Sequence, residues 1–414
     1  MRVIAIIAEY NPFHYGHSWQ LEELRRRYVN TDGIVVAMSG SITQRGELSV
    51  LDKWTRAQHA VIGGADLVLE LPFVFSCRSA QDFARGGISL LSQLGIVSHL
   101  AFGTEAEDIA LLTEISHQID SNEVQSRLSG YLRQGNSYAA ALSHALATFA
   151  EIEEILRAPN NILAVEYLRA LRQFAPEITP VSVMRKNVQH NDDCLHRGIT
   201  SASSIRNMLR SHSPRWELLC ESVMSSVLND LRGTHAEGLP REQTLLDLLR
   251  YIFLTEDHFD LSSFYGISEG IENRFNHYLN ISDDYRTFLM NVSTKRYPQS
   301  RIARLIIYLL LRFKKVQAEH FDMSGARYIR PLAFNKCGRE LLRHIKKTSS
   351  LPIISRTAEF LTTEQRAGAD SAQSPLQKML SFDTKATELR ILTLAAKNKK
   401  KCRTDFITSP QFLP

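Results

Sequence analysis

Apolar residues fall in short unbroken runs through the first hundred positions. Between the runs they recur three and four apart. Val3–Ala8, Gly33–Met38 (GIVVAM), Ala65–Leu71 (ADLVLEL) and Ser98–Phe102 (SHLAF) are too short for helices and end in turn residues, so they read as buried strands. Leu21, Leu24 and Tyr28 share one helical face, and Asp52–Ile62 and Ala80–Leu94 carry the same spacing. Strand and helix in strict alternation predict an α/β fold, a parallel sheet covered on both faces. In such sheets ligands sit at the carboxyl ends of the strands.

Farther along, Glu105–Asp120 and Ser121–Gly135 read as amphipathic helices. Pro159-Asn160-Asn161 breaks the pattern before a helix over Ile162–Phe174, and Thr179–Met184 reads as a last strand. From about 215 to 330 helical spacing dominates, most clearly in Leu245–Phe253 and Arg301–Phe313. Residues 362–376 read as a loop, and no internal repeat is present. Two domains are expected: an α/β unit over 1–212, then a mostly α-helical, basic unit over 213–414.

Composition narrows the class. The 414 residues are 44% hydrophobic and 22% charged, ordinary for a soluble globular protein. The five cysteines are odd in number and none stands in C-x-x-C spacing, which argues against a disulfide framework or zinc ribbon and for a reducing, cytoplasmic setting. No basic leader precedes a cleavable apolar stretch, and runs such as Leu305–Leu311 are too short to cross a bilayer, so no membrane is expected. No protein partner is implied.

Net charge is +5, and it is unevenly placed. Between 327 and 355, Arg327, Arg330, Lys336, Arg339, Arg343, Lys346 and Lys347 face one acid, Glu340. That one-sign density points to a polyanion. Lys397, Lys399, Lys400, Lys401 and Arg403 form a second basic patch. Lys295, Arg296, Arg301 and Arg304 surround Tyr297 at a helix entry, which suits phosphate contact with base stacking.

Candidate chemistry gathers at the predicted strand ends. After the first strand, Asn11-Pro12 makes a turn and His14-Tyr15-Gly16-His17 opens a helix, whose free N–H groups favour phosphate. Gly16 lets a ligand approach the backbone, with His14 and His17 on either side. The loop after the second strand offers Gln44 and Arg45 as donors. Gly103 ends the fourth strand, where adenine or ribose can rest on backbone. Asn160 and Asn161 divide between capping and ligand contact, and Arg185 follows the last strand. Gly198–Arg206 opens another helix, where Ser203 and Arg206 suit a second anion site.

His-x-Gly-His behind an N-terminal strand resembles the HIGH motif of the nucleotidylyltransferase superfamily. AEYNPFHYGH, MSGSITQRGE, DKWTRAQHA, GADLVLELPF, SAQDFARGG, FGTEAED, PNNILAVEYL, SASSIR, Thr294–Arg304, YIRPLAFNKCGRELL and SSLPII occur in that order. Together they resemble the bacterial tRNA(Met) cytidine acetate ligase family over almost the whole chain. The resemblance implies a Rossmann-like nucleotidylyltransferase domain followed by the helical one. It implies activation of acetate by ATP and acetylation of N4 of the wobble cytidine in elongator tRNA(Met), with AMP and pyrophosphate released. Mg²⁺ is expected on the triphosphate.

The family's ATP site carries over to Ile7, Ala8, Glu9, Tyr10, Asn11, Pro12, Phe13, His14, Tyr15, Gly16, His17, Ser18, Trp19 and Gln20, with Gly103, Asn160 and Arg185. His14 and His17, with Gln44 and Arg45, are the expected catalytic groups. Arg185 and Arg206, helped by Ser203, are suited to the leaving pyrophosphate. Lys295, Arg296, Arg301, Arg304, Arg330, Lys336, Arg339 and Arg343 are expected to touch RNA. One departure is His190-Asn191-Asp192, where the family has Tyr-His-Asp. Two other readings compete: a small-molecule adenylyltransferase of cofactor metabolism, and a non-catalytic RNA-binding protein on the same fold. The basic 327–347 stretch argues against the first, and His14, Gly16, His17 and Arg206 against the second.

Overall fold

A computed structural model describes residues 1–106, 108–136, 138–146, 155–156, 158–185, 200–211, 213–256, 260–268, 270–362, 365, 373–395 and 402–414. Its centre is a seven-stranded sheet of β1 (Val3–Ala8), β2 (Gly33–Ser39), β3 (Leu67–Leu71), β4 (His99–Thr104), β5 (Thr179–Met184), β6 (Pro331–Phe334) and β7 (Gln411–Phe412), in the order β5-β4-β1-β2-β3-β6-β7. β1 pairs in parallel with β2 from Val3↔Gly33 to Ala8↔Met38, and with β4 from Ile4↔His99 to Ile6↔Ala101. The chain therefore runs outward from β1 in both directions. The switch point between β1 and β4 opens a crevice at their carboxyl ends.

Alternation along β1 divides two cores. Val3, Ala5 and Ile7 face helices Ala80–Ser92 and Pro159–Phe174, while Ile4 and Ile6 face Tyr15–Arg27, Lys53–Ile62 and Ala202–Arg210. The strand and helix spans read from the sequence hold with end shifts: the third strand starts at Leu67, the fourth runs to Thr104, and helices cover Ile109–Ile119 and Asn122–Arg133.

The C-terminal half is not wholly helical. β6 pairs antiparallel with β3, and β7 pairs parallel with β6, so the sheet crosses the expected boundary at 212. β6 spans four residues and begins with proline, too little for a period of two to register.

The same corner corrects one expectation for RNA contact. Arg330 is 4% exposed. Its guanidinium meets Glu70 at 2.9 Å and Asp405 at 2.5 Å, and both carboxylates also hold the buried Lys53 ammonium at 2.6 Å. Arg330 is a core cation that closes a buried charge cluster, not a surface one. Among the described residues, no helix is long and apolar enough to cross a membrane. Residues 190–192, most of the 362–376 loop and the lysines at 397–401 lie outside the described residues.

Candidate functional site

His14 caps the helix Tyr15–Arg27 with its side chain. Its Nδ1 accepts from the Gly16 N–H at 3.1 Å, and the Nδ1 of His17 accepts from the His14 N–H at 3.2 Å. This is a reciprocal capping box built from imidazoles. Because each Nδ1 is an acceptor, the proton of each neutral ring sits on Nε2. The rings stack with centroids 3.7 Å apart. Burial, with help from the Arg185 and Arg206 charges, pulls His14 down to about 3; burial, with His14 and Arg185, pulls His17 well below the usual imidazole range. Both rings are therefore neutral at pH 7, and each keeps one Nε2–H to donate.

These rings line a cavity of about 1330 Å³. On one side lie Gly103, Asn160, Arg185, Ser203 and Arg206. A Cβ on Gly103 would come within 3.3 Å of the Arg185 Cγ, so the glycine makes room for the Arg185 stem. Of the two asparagines, Asn160 lines the cavity. Asn161 is structural: its Oδ1 accepts from the Glu105 and Ala106 N–H groups. Ser201 caps the helix Ala202–Arg210, accepting from the Ser204 N–H at 3.1 Å, so a second helix start faces the cavity. Arg206 donates to the Asn11 carbonyl at 2.9 Å and meets Glu47 at 2.7 Å, tying this helix to the turn after β1.

Part of the lining comes from the C-terminal half. Lys295, Arg296, Arg301 and Arg304 line the same cavity, with Tyr265 and Tyr308. The sequence predicts these four cations as an RNA surface, and they line the cavity that the histidines line. Arg304 donates to the Gln44 carbonyl at 3.3 Å, and the Arg301 guanidinium lies 4.0 Å from the Tyr297 ring centroid. Lys336, Arg339 and Arg343 stand elsewhere. Their helix, Lys336–Thr348, packs at the amino ends of the strands: a Cβ on Gly338 would lie 2.0 Å from the Asp66 carbonyl oxygen, and Thr348 bonds the Leu94 carbonyl.

Not every residue from Ile7 to Gln20 reaches the cavity. Pro12, Phe13, Tyr15 and Ser18 do not line it. Phe13 is a core ring wedged against Gly63, and the Tyr15 N–H bonds the Ser222 carbonyl. Gln44 serves mostly as support: its side-chain amide donates to the Arg78 carbonyl at 2.7 Å, and its N–H donates to Glu9 Oε1 at 2.6 Å. Arg45 extends from the same loop into the cavity wall.

Sequence reasoning missed Tyr167. It lies two helical turns beyond Asn160 on one face of Pro159–Phe174, a spacing that would have found it. Its ring packs 5.6 Å from Phe102. Its hydroxyl, like those of Tyr10 and Thr200 and the Asn11 Nδ2, is buried at the cavity without a hydrogen-bond partner. Such groups await a ligand or water.

The HIGH Nucleotidyl Transferase family model matches residues 1–405. The chain is 36% identical over 378 residues to the tRNA(Met) cytidine acetate ligase of Clostridium kluyveri, covering 86% of this chain and 90% of that one. It is 35% identical over 416 residues to the protein of that name from a Thermoanaerobacter species, covering 98% of each. Two crystal structures of Thermotoga maritima TmcAL are similar over the full length of both chains. The apo form is 30% identical with a TM-score of 0.88, and the form bound with alpha-thio ATP is 31% identical with a TM-score of 0.87. With the imidazole capping box at the head of its first helix and relatives matched end to end, the chain belongs to the HIGH nucleotidyl transferase family and, within it, stands with the tRNA(Met) cytidine acetate ligases.

Proposed function

We propose that this protein is an ATP-dependent acetate ligase that acetylates N4 of the wobble cytidine of elongator tRNA(Met). The observation that carries the reading is the pair of neutral Nε2–H donors on His14 and His17, fixed at a helix N-terminus and sharing a cavity with Lys295, Arg296, Arg301 and Arg304. In the first step an acetate oxygen attacks the α-phosphorus of ATP and pyrophosphate leaves. Negative charge grows on the phosphate oxygens, and preorganised donors there lower the barrier. Arg185, Arg206 and the start of the Ala202–Arg210 helix suit the leaving pyrophosphate. Mg²⁺ would enter with ATP, held mostly by phosphate oxygens and water, a mode that needs no dedicated ligand cluster.

In the second step the cytidine amine attacks the acetyl carbon of the adenylate and AMP leaves. The N4 lone pair is delocalised into the ring, which is why the acid must first be activated. Lys295, Arg296, Arg301 and Arg304 favour a polyanionic acceptor over a small one, because they bring cations to the cavity from the second half of the chain. ATP and tRNA as substrates support a cytoplasmic setting for the activity.

The test is to supply ATP-Mg²⁺, labelled acetate and unmodified tRNA, and to look for label in N4-acetylcytidine of elongator tRNA(Met). Turnover of ATP with unlabelled tRNA would move the reading to another acceptor. Absence of any ATP turnover would overturn it.

A further inference from the structure

Glu9 is out of place in a site built for phosphates. It follows β1, lines the cavity beside the histidine turn, and brings a carboxylate where a triphosphate would be repelled. The fold nevertheless secures it. The Gln44 N–H holds Oε1 at 2.6 Å, the Arg45 and Arg206 charges are close enough to act on it, and the Tyr167 phenol is within electrostatic reach. Tyr167 itself is 3% exposed, with its hydroxyl unpartnered at the cavity. One acceptor and one donor thus line the same cavity: Glu9 comes two residues after Ile7, on the side of the sheet where Ile7 shares a core with Phe102 and Tyr167.

We infer that Glu9 and Tyr167 read the amine edge of the acceptor cytosine, Glu9 accepting from N4–H and Tyr167 donating to N3. This rests on the ligase reading above and names the residues that recognise its acceptor base. A cytosine presents a donor at N4 beside an acceptor at N3, and uracil presents the reverse. A base taken out of its stack is read through this edge, with an aromatic ring against its face. The proton balance also closes. As N4 bonds to the acetyl carbon, the carbon–oxygen bond to AMP breaks with its electron pair on AMP, and the N4 proton passes to the Glu9 carboxylate.

Adenine carries the same donor–acceptor order, so placement decides between them. Glu9 precedes by five residues His14, the donor proposed for the α-phosphate, and lines the same cavity, so a base held by Glu9 would lie on the side of the reacting phosphate. Burial raises the Glu9 carboxyl above its ordinary range, toward the working pH of a base. The groups acting with it are Arg45, Glu47, Arg206, Arg56, Tyr167 and Cys77.

The experiment uses the full-length protein with Glu9→Gln and, separately, Tyr167→Phe. Acetate-dependent ATP–pyrophosphate exchange reports the first step, and single-turnover acetyl transfer to an anticodon stem-loop reports the second. Transfer should fall tenfold to a hundredfold, roughly the value of a hydrogen bond to a charged group, while exchange falls far less. The acid limb of the transfer rate against pH should vanish in Glu9→Gln, and Tyr167→Phe should narrow the binding preference for a cytidine over a uridine stem-loop. Equal loss of exchange and transfer in both variants, or a raised KM for ATP alone, would assign the pair to the nucleotide and overturn the inference. Failure of the unaltered protein to acetylate any tRNA would instead sink the ligase reading.

Discussion

Gly46 rests directly on the backbone of Arg304: a Cβ at position 46 would lie 2.7 Å from the Arg304 amide nitrogen and 2.8 Å from the Ala303 carbonyl carbon. Neither atom can rotate away. Gly46 also holds φ at +78°, a conformation that costs a side chain about 1 kcal/mol or more. This contact joins the loop bearing Gln44 and Arg45 to the Gln299–Leu311 helix, both of which line the cavity. Gly46→Ala should lower thermal stability and reduce acetate-dependent pyrophosphate exchange together. Gly135→Ala is the control: φ there is +87° with no neighbour within 4 Å. It should cost the strain alone and leave exchange unchanged. Equal loss of exchange in both would remove Gly46 from the cavity's architecture.

His14 links the site to stability through pH. Its folded value lies at about 3, below the ordinary 6.5. The unfolded chain therefore takes up a proton as pH falls through 6.5 while the folded chain refuses it, and stability declines between about pH 6.5 and 3. The slope from one such group is at most about 1.4 kcal/mol per pH unit. His14→Asn keeps a helix cap and should flatten the slope of the urea midpoint between pH 7 and pH 5. The same variant should slow pyrophosphate exchange by about a hundredfold to a thousandfold, the usual worth of one transition-state donor. An unchanged slope would mean the ring is charged in the folded protein.

Much of this was legible in the sequence. The four apolar runs and the His-x-Gly-His turn place β1 to β4 and the first helix, because fully buried parallel strands are written as continuous apolar residues. β6 and β7 were not legible, since four and two residues carry no period. The run from 327 to 347 read as uniformly basic, yet only the fold reveals Glu70 and Asp405 around Arg330. Asn160 and Asn161 stayed ambiguous because one residue of helix rotation, about 100°, separates a ligand contact from a structural bond. Tyr167 lay on the same helical face as Asn160, so the spacing could have singled it out, but only the cavity shows that its hydroxyl has no partner there.

The buried charges make the end of the chain part of the fold. Lys53 and Arg330 both bond Asp405 Oδ1, and beyond that residue come the two residue pairs of the β6–β7 pairing, Ala333↔Gln411 and Phe334↔Phe412, and the Leu413 N–H to Phe334 carbonyl bond. Asp405→Ala removes one of the two carboxylates that ion-pair with the buried Lys53 and Arg330, a loss of about 3–5 kcal/mol. Urea unfolding should show it, and the protein should lose stability without a selective effect on either reaction step. Arg343→Ala, whose partner Glu340 is as exposed as itself, should shift the midpoint by less than about 0.5 kcal/mol. A comparable loss in both would contradict the burial of the Asp405 cluster.

The basic residues separate into two ends of the sheet, and the two ends should behave differently toward RNA. Lys295, Arg296 and Arg301 line the cavity at the carboxyl ends of the strands. Lys336, Arg339 and Arg343 are exposed on a helix seated at the amino ends, against Asp66 and Leu94. A cation that neutralises one phosphate of a single-stranded loop changes the slope of log affinity against log salt by about 0.7. Replacing Arg301 by Ala should lower both the tRNA affinity and the rate of acetyl transfer from preformed adenylate if Arg301 holds an acceptor phosphate in the cavity it shares with His14 and His17. Replacing Arg339 and Arg343 together should flatten the salt dependence of binding and leave the transfer rate at saturating tRNA unchanged, because nothing at that end touches the reaction. Binding titrations from low to moderate salt, paired with single-turnover transfer, separate the cases. If neither measurement moves for Arg339 and Arg343, the far helix is a solvated face, and the RNA lies wholly on the cavity side.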